Sequence, residues 1–270
     1  MMWVNGSPGD SVSPLDRGLA YGDGLFETIR VKGGIAVRLS RHLARLSSGC
    51  ERLGLAVDLD EVRDEIERFS AGQNGVVKLI VTRGIGQRGY RPSPMARATR
   101  VLVQAPAPDY PASHAIDGIR LYPCQTRLAE QPLLAGLKHL NRLEQVLARA
   151  EWSSEAFAEG LMRDISGRVI EGVFSNLMMI RKDQLITASL VRCGVAGVMR
   201  AEILSLAPSM GLSVVEADVT IDDFIRSDEI FLCNSLYGIW PVREWAGHDW
   251  PVGPVTRKLQ AVLADETSAS

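Results

Sequence analysis

A proline-rich segment near the middle of the chain is the feature that most constrains how the chain can fold. Residues 105–111 hold three prolines and show no hydrophobic periodicity, which is typical of a linker between domains. The chain has 270 residues, enough for two domains of ordinary size. The sequence therefore predicts an N-terminal domain over residues 1–105, a linker over 106–112 and a C-terminal domain over 113–270.

Helical and strand patterns alternate on both sides of this linker. Apolar residues at helical spacing predict helices over residues 39–55, 60–69 and 221–226, after Asn141, after Gly197 and near the C-terminus. Runs rich in β-branched residues predict strands over 1–4, 75–82, 100–104, 118–124, 159–163, 174–181, 213–216 and 229–233. The predicted fold class is therefore α/β (α+β).

Composition and charge exclude several classes of function. The formal net charge is −2, so the chain lacks the basic surface that nucleic acid or an anionic membrane would require. No apolar run approaches a membrane span, and the N-terminus lacks a signal-peptide pattern. The four cysteines form no CxxC pair and no two of the four histidines lie four residues apart, so we expect free thiols and no metal site. A cytoplasmic globular protein is predicted.

One lysine, Lys138, lies in a short apolar approach to a predicted helix. Leu143 and Val146 repeat at helical spacing, so that helix is predicted to begin just after Asn141 and Lys138 to lie at a bend. Such a lysine can lay its stem on apolar surface and keep its ammonium group in water. It can also be a desolvated amine with a lowered pKa that condenses with a carbonyl as a Schiff base. The lysine alone leaves both interpretations open.

Three further signals accompany the lysine. Glu171 stands at a strand end, Arg45 lies on a helix, and a glycine turn at Gly197 leads into a helix whose first amides belong to Val198 and Met199. A helix N-terminus of this kind suits a phosphate group, although many helices simply begin after glycine. Pyridoxal 5′-phosphate (PLP) requires an amine, a phosphate site and, in most carbanion chemistry, a carboxylate on its ring nitrogen.

The order of the sequence motifs resembles that of the fold-type-IV PLP-dependent enzymes, which include branched-chain aminotransferases, D-amino acid aminotransferases and aminodeoxychorismate lyases. The resemblance extends from residue 5 to about residue 242. It rests on Asp16-Arg17-Gly18, Tyr21-Gly22-Asp23-Gly24-Leu25-Phe26-Glu27, His42-Leu43-Ala44-Arg45-Leu46, Glu171-Gly172-Val173-Phe174-Ser175-Asn176-Leu177 and Gly197-Val198-Met199-Arg200. Within the group, Gly136-Leu137-Lys138-His139-Leu140-Asn141-Arg142-Leu143 and Cys233-Asn234-Ser235-Leu236 resemble the lyases.

The resemblance implies a two-domain fold-type-IV architecture, with a small N-terminal α+β domain and a larger C-terminal domain that carries a barrel-like sheet. It also implies a homodimer with active sites near the interface and the following roles for residues. The implied catalytic residues are Lys138, which forms the Schiff base and acts as general base, and Thr28. Of the implied cofactor-binding residues, Lys138 forms the covalent bond, Glu171 pairs with the pyridine nitrogen, and Arg45, Val198 and Met199 hold the phosphate. Asn176 and Asn234 are also implied to bind the cofactor. The implied substrate-binding residues are Thr28, Asn234, and Arg88 and Tyr90 in a loop contributed by the neighbouring subunit.

For a lyase of this group the implied reaction converts 4-amino-4-deoxychorismate into 4-aminobenzoate and pyruvate, a step in folate biosynthesis. Two alternatives stay open. One is a D-amino acid or branched-chain aminotransferase of the same fold, against which Thr28, Asn234 and the residues around Lys138 argue. The other is a module that binds PLP or phosphate without catalysis.

Overall fold

The structure, a computed structural model, describes residues 1–266 and consists of helices and β-sheets arranged in two compact units. The first unit comprises Met1–Pro108 together with Leu137–Asn141. The second comprises Asp109–Gly136 and the described residues from Arg142 onward. The predicted α/β (α+β) fold class is confirmed. The domain boundaries predicted from the sequence, which assigned the whole of residues 113–270 to one domain, stay a prediction.

The first unit is an antiparallel six-stranded sheet in the order β2-β1-β6-β5-β3-β4, with helices α2 and α3 packed against it. Its elements are β1 (Met2–Val4), β2 (Ser7–Pro8), α1 (Arg17–Tyr21), β3 (Gly24–Lys32), β4 (Ile35–Ala36), α2 (Leu39–Leu53), α3 (Leu59–Ser70), β5 (Gly75–Thr82) and β6 (Thr99–Ala105).

Alternating burial along β3 explains how this sheet is oriented. Leu25, Ile29 and Val31 are buried, whereas Phe26 and Thr28 on the opposite face of the strand are only half-buried. Because side chains alternate across a strand, one face of β3 belongs to the core and the other is only partly covered.

Helix α2 covers the core with the apolar stripe that the sequence predicted. Leu39, Leu43, Leu46 and Cys50 are all buried. The helix ends at Gly54, whose left-handed backbone conformation lets its N–H satisfy two of the last carbonyl groups of the helix.

The second unit holds a nine-stranded sheet. Its elements are α4 (Ser113–Ile116), β7 (Ile119–Leu128), α5 (Leu143–Arg149), β8 (Glu159–Asp164), β9 (Val169–Gly172), β10 (Asn176–Arg181), β11 (Gln184–Ala188), α6 (Val198–Leu206), β12 (Ser213–Ala217), α7 (Ile221–Ile225), β13 (Glu229–Asn234), β14 (Gly238–Trp245), β15 (His248–Asp249) and α8 (Pro254–Glu266).

Six of these strands close on themselves as the barrel-like sheet that the resemblance implied. Pairing runs β10-β13-β14-β7-β8-β9, and β9 returns to the beginning of β10, where Glu171 lies opposite Asn176. The remainder of β10 pairs with β11, which carries β12 at the outer edge. The ring therefore closes at two residues to which the resemblance assigns the cofactor.

Helix α5 forms where it was predicted, but its apolar stripe does not enter the core of the chain. Leu143, Val146 and Leu147 are 75%, 61% and 61% exposed, and Ala148 is the buried residue of the helix. Helical periodicity therefore identified the element without revealing what its apolar face contacts.

All four cysteines are free and buried. Burial raises the pKa of the Cys50 thiol to about 11 and the pKa values of Cys124, Cys193 and Cys233 to about 12. Over the described residues, every helix is too short or too polar to cross a membrane.

A glycine between α1 and β3 lies close to the segment that carries Lys138. Gly22 has a left-handed backbone with φ 65°, and a Cβ there would lie 2.3 Å from Oδ1 of Asn141. Gly33 has a similar φ of 59° but nothing within 4 Å of its virtual Cβ. These two glycines form a matched pair, because the backbone cost of a side chain is similar at both positions.

We predict that Gly22→Ala lowers the free energy of unfolding by more than Gly33→Ala. Both variants carry the left-handed backbone penalty of about 1 kcal/mol, but only the first also displaces Asn141, whose amide donates to the Gly22 carbonyl. Urea unfolding of both variants measures the difference. Equal losses would contradict the close approach.

Candidate active site

The Lys138 segment pairs with the beginning of β3. The Phe26 N–H donates to the Lys138 carbonyl at 3.0 Å, and the Leu140 N–H donates to the Gly24 carbonyl at 3.0 Å. The half-buried Lys138 places its Nζ 4.4 Å from the centre of the Phe26 ring. The lysine is thus held at a bend by backbone hydrogen bonds, with its amine over an aromatic face.

A second lysine, which the sequence analysis missed, approaches the same ring. Lys78 Nζ lies 5.3 Å from the centre of the Phe26 ring. In the sheet, Lys78 is the β5 residue directly opposite Thr28 of β3. The sequence does contain a signal for Lys78, because this lysine interrupts the apolar run of β5.

Arg45 is oriented by a buried carboxylate, Glu27. Arg45 Nε donates to Glu27 Oε1 at 2.8 Å, and a second guanidinium nitrogen donates to Oε2. His42, one turn earlier on α2, places Nδ1 2.6 Å from Oε2 of the same carboxylate. Burial raises the pKa of Glu27, but the charge of Arg45 and the hydrogen bonds from His42 and Arg45 outweigh it and lower that pKa to about 2.

Glu27 and His42 were present in the recognised motifs but had received no role. Burial lowers the pKa of His42, and the Glu27 carboxylate opposes that effect only in part. The guanidinium of Arg45 therefore keeps a fixed orientation set by Glu27, while its role in holding a phosphate stays a prediction.

In the second unit, Glu171 and Asn176 form one buried hydrogen-bonded group with the turn before α6. Glu171 Oε2 accepts from Asn176 Nδ2 at 3.2 Å and from the Val195 N–H at 2.9 Å, and Asn176 Nδ2 also donates to the Val195 carbonyl at 2.8 Å. A Cβ on Gly197 would lie 2.0 Å from Asn176 Oδ1. Glycine at this position therefore allows Asn176 to reach the turn.

Helix α6 begins directly after Gly197, as the sequence predicted. Gly197 is its N-cap without a side-chain hydrogen bond, and the first turn carries no acidic residue. Val198 and Met199 are buried and open the helix. The first amides of a helix have no intrahelical acceptor, so an uncapped helix N-terminus suits a phosphate.

A fully buried carboxylate that the sequence analysis missed, Glu159, organises the turn that leads into Asn176. Its two oxygens accept from the N–H groups of Gly160, Val173 and Phe174 and from the Ser175 hydroxyl, at 2.7–3.2 Å. Burial raises the pKa of Glu159 to about 7 against these hydrogen bonds. Nothing in the local sequence distinguishes this glutamate from a surface one.

Asn234 also bonds within the second unit. Its Oδ1 accepts from the N–H groups of Leu236 and Tyr237 at 2.9 and 3.0 Å, and its Nδ2 donates to the Phe174 carbonyl at 3.3 Å. Asn234 therefore shapes the turn between β13 and β14, and its contact with cofactor and substrate stays a prediction.

The two loop residues that the resemblance assigns to substrate binding lie between β5 and β6 in the first unit. Arg88 is exposed, and Tyr90 is 86% exposed. Together with Lys138, Thr28 and Arg45 they belong to the first unit, whereas Glu171, Asn176, Val198, Met199 and Asn234 belong to the second. Side-chain hydrogen bonds hold Arg45 in the first unit and Glu171, Asn176 and Asn234 in the second. The roles of all the predicted site residues stay predictions.

We predict that Glu27→Gln removes an acid-sensitive part of the stability. A carboxylate whose folded-state pKa is depressed contributes stability that is present above its unfolded pKa and is lost as pH falls through the folded pKa. For a pKa of about 2 instead of 4.5 the contribution is about 3 kcal/mol at neutral pH.

Unfolding free energies of wild type and variant should converge by about 2 kcal/mol between neutral pH and roughly pH 3. Glu51→Gln on the exposed side of α2 is the control and should show no such convergence. A constant difference between wild type and Glu27→Gln across that range would show that the pKa of Glu27 is not depressed.

The chain is similar over nearly its whole length to proteins of known structure or name. The crystal structure of 4-amino-4-deoxychorismate lyase from Pseudomonas aeruginosa is 56% identical, with a TM-score of 0.97 and coverage of 98% of both chains. Aminodeoxychorismate lyase of Vibrio harveyi is 37% identical over 97% of this chain and 99% of its own length. A hypothetical aminotransferase from Mycobacterium tuberculosis in a PLP-bound form covers 98% of this chain and 97% of its own at 19% identity and a TM-score of 0.84, and this likeness shows the fold alone.

A family model also matches, and its limits coincide with elements of the site. The model described as amino-transferase class IV matches residues 24–245. These residues begin with β3, against which the Lys138 segment pairs, and end with β14 of the ring that Glu171 and Asn176 close. Since the match spans well over half of the chain, the chain belongs to the amino-transferase class IV family.

Proposed function

We propose that the protein is a PLP-dependent lyase that converts 4-amino-4-deoxychorismate into 4-aminobenzoate and pyruvate. The observation that carries the proposal is the 56% identity, over 98% of both chains, to a structure with that named activity. The lyase-like residues around Lys138 and at Asn234 support it. The reaction is an elimination: the substrate divides into two products without gain or loss of electrons.

The residues present fit PLP. The uncapped N-terminus of α6 suits the phosphate, with the amides of Val198 and Met199 as donors. Arg45, oriented by Glu27, adds a positive charge for the same group. Glu171 would hold the pyridine nitrogen protonated, and Asn176 would orient that carboxylate.

When bound, PLP supplies an electron sink for a negative charge that develops next to the substrate amine. Lys138 would hold the cofactor through Nζ, and the same amine would accept the proton from the ring C4 atom of the substrate. Thr28 donates a proton to the departing enolpyruvyl group. Because the product ring becomes aromatic, the remaining residues mainly orient the substrate and exclude water.

The substrate carries two carboxylates, which require cationic partners. We assign one to Arg88, with Tyr90 beside it, in a loop that acts in the site of a partner subunit; the protein is then a homodimer. A cytoplasmic location fits the four free buried thiols, which persist in a reducing compartment.

Product analysis separates this function from the aminotransferase of the same family. Incubation with aminodeoxychorismate, without any keto acid, should release 4-aminobenzoate and pyruvate in equal amounts. A requirement for a keto-acid acceptor, or amino-group transfer at a higher kcat/KM than pyruvate release, would assign the chain to the aminotransferases. Absence of both activities in PLP-loaded protein would favour a module without catalysis.

We predict that Lys138→Ala abolishes turnover and covalent attachment of PLP, because the variant lacks the amine that serves both purposes. Borohydride treatment followed by peptide mass spectrometry should find the reduced adduct on Lys138 in wild type only. Lys32→Ala, which removes an exposed lysine at the end of β3, is the matched control and should retain both properties. Full activity in Lys138→Ala would exclude the mechanism.

We also predict that Arg88→Ala can be complemented in trans. In a hybrid dimer of Arg88→Ala and Lys138→Ala chains, one of the two sites combines an intact Lys138 with an intact Arg88 from the other subunit. Co-expression of the two nearly inactive chains should restore roughly a quarter of the wild-type activity through statistical hybrids. Activity no higher than that of the separate variants, with hybrids verified by mass, would place Arg88 in the site of its own subunit.

A further inference from the structure

Arg17 is a buried arginine that donates to the backbone of the predicted substrate loop. Its side chain is 5% exposed. Two guanidinium nitrogens donate to the carbonyls of Gly89 at 2.8 Å and Tyr90 at 2.9 Å, and Nε donates to Asp23 at 2.8 Å. The guanidinium lies 4.8 Å from the ring centre of Tyr21, whose hydroxyl accepts from the Gly89 N–H at 3.1 Å.

The counter-ion of Arg17 is itself fixed to the core. Asp23 also accepts from Arg83 at 2.7 and 3.0 Å, and Arg83 donates to the carbonyls of Leu53 and Gly54 at the end of α2. Burial raises the pKa of Asp23, but the hydrogen bonds from Arg83 and Arg17 outweigh it and keep the carboxylate ionised. A continuous set of charge-assisted hydrogen bonds therefore links the end of α2 to the loop.

The loop has few other restraints near its tip. Arg88, Gly89 and Tyr90 are all exposed, so apolar burial does little to fix their backbone. The Tyr90 ring packs on Tyr21 at 5.5 Å. A Cβ on Gly86 would lie 2.8 Å from Cδ of Arg17, so the loop passes directly over the arginine stem.

We propose that Arg17 is a positioning residue that sets the backbone of the Arg88–Tyr90 loop and thereby presents the loop to a carboxylate of the substrate. The inference rests on the proposed function, which gives this loop its substrate. Three donor directions are used at once, one toward Asp23 and two toward consecutive carbonyls, and a lysine cannot supply them from one rigid plane. Arg17 touches no substrate in this scheme and acts only through the loop.

The test compares Arg17→Lys, Arg17→Met and the milder Tyr21→Phe with Arg97→Met, an exposed arginine in the same β5–β6 connection. We expect Arg17→Met to raise KM about tenfold or more with kcat changed less than about threefold, because a misplaced loop weakens substrate binding and leaves the residues at the reacting atoms in place. Arg17→Lys should be thermally more stable than Arg17→Met but should keep a raised KM. Tyr21→Phe should raise KM to a smaller extent. Arg97→Met should match wild type.

Hydrogen exchange provides a readout that does not need activity. Amides at positions 88–90 should exchange faster in the Arg17 variants, and trypsin should cleave after Arg88 sooner, whereas PLP content and exchange in β3 stay as in wild type. Unchanged KM in folded Arg17→Met or Arg17→Lys, or unchanged loop exchange in both, would overturn the inference. A wild type that releases no pyruvate would instead overturn the proposed function, and the exchange data would still decide whether Arg17 fixes the loop.

Discussion

The contact between Glu171 and Asn176 is the interaction on which the second unit depends. It closes a ring of six strands, and the same two side chains hold the turn before α6 through Val195. A carboxylate buried at such a position keeps its place only with hydrogen-bond donors around it. Closure of the sheet, orientation of the Glu171 carboxylate and the shape of the turn before α6 are therefore consequences of one small polar group.

In the first unit, too, a buried carboxylate orients a predicted site residue. Its sheet carries on one strand a buried acid, Glu27, that orients Arg45, and a half-buried face with Phe26 and Thr28. The Lys138 segment completes this arrangement by pairing with the free beginning of the strand. A single alternating strand thus orients the Arg45 guanidinium through Glu27 on one face and contacts the Lys138 amine through Phe26 on the other.

Much of this arrangement could be predicted from the sequence, and the failures have physical reasons. The strand Gly75–Thr82 and the buried stripe of α2 follow from periodicity, because they depend on neighbours along the chain. Helix α1 was missed, since five residues are too short for a periodic signal. Glu159 was missed because three of its four donors, from residues 173–175, reach it only through tertiary folding. Motif order identified the candidate site, but not the groups that orient its residues.

The buried thiols have a practical consequence. Because Cys50 in the first unit and Cys124, Cys193 and Cys233 in the second are protonated and enclosed at neutral pH, alkylating reagents can modify them only when the surrounding structure opens. The rate at which each cysteine is alkylated in the native protein therefore measures local opening of the structure around it. Cys50 reports on the first unit, and the other three cysteines report on the second. The local opening rates of the two units can thus be compared with the natural cysteines, without any engineered label.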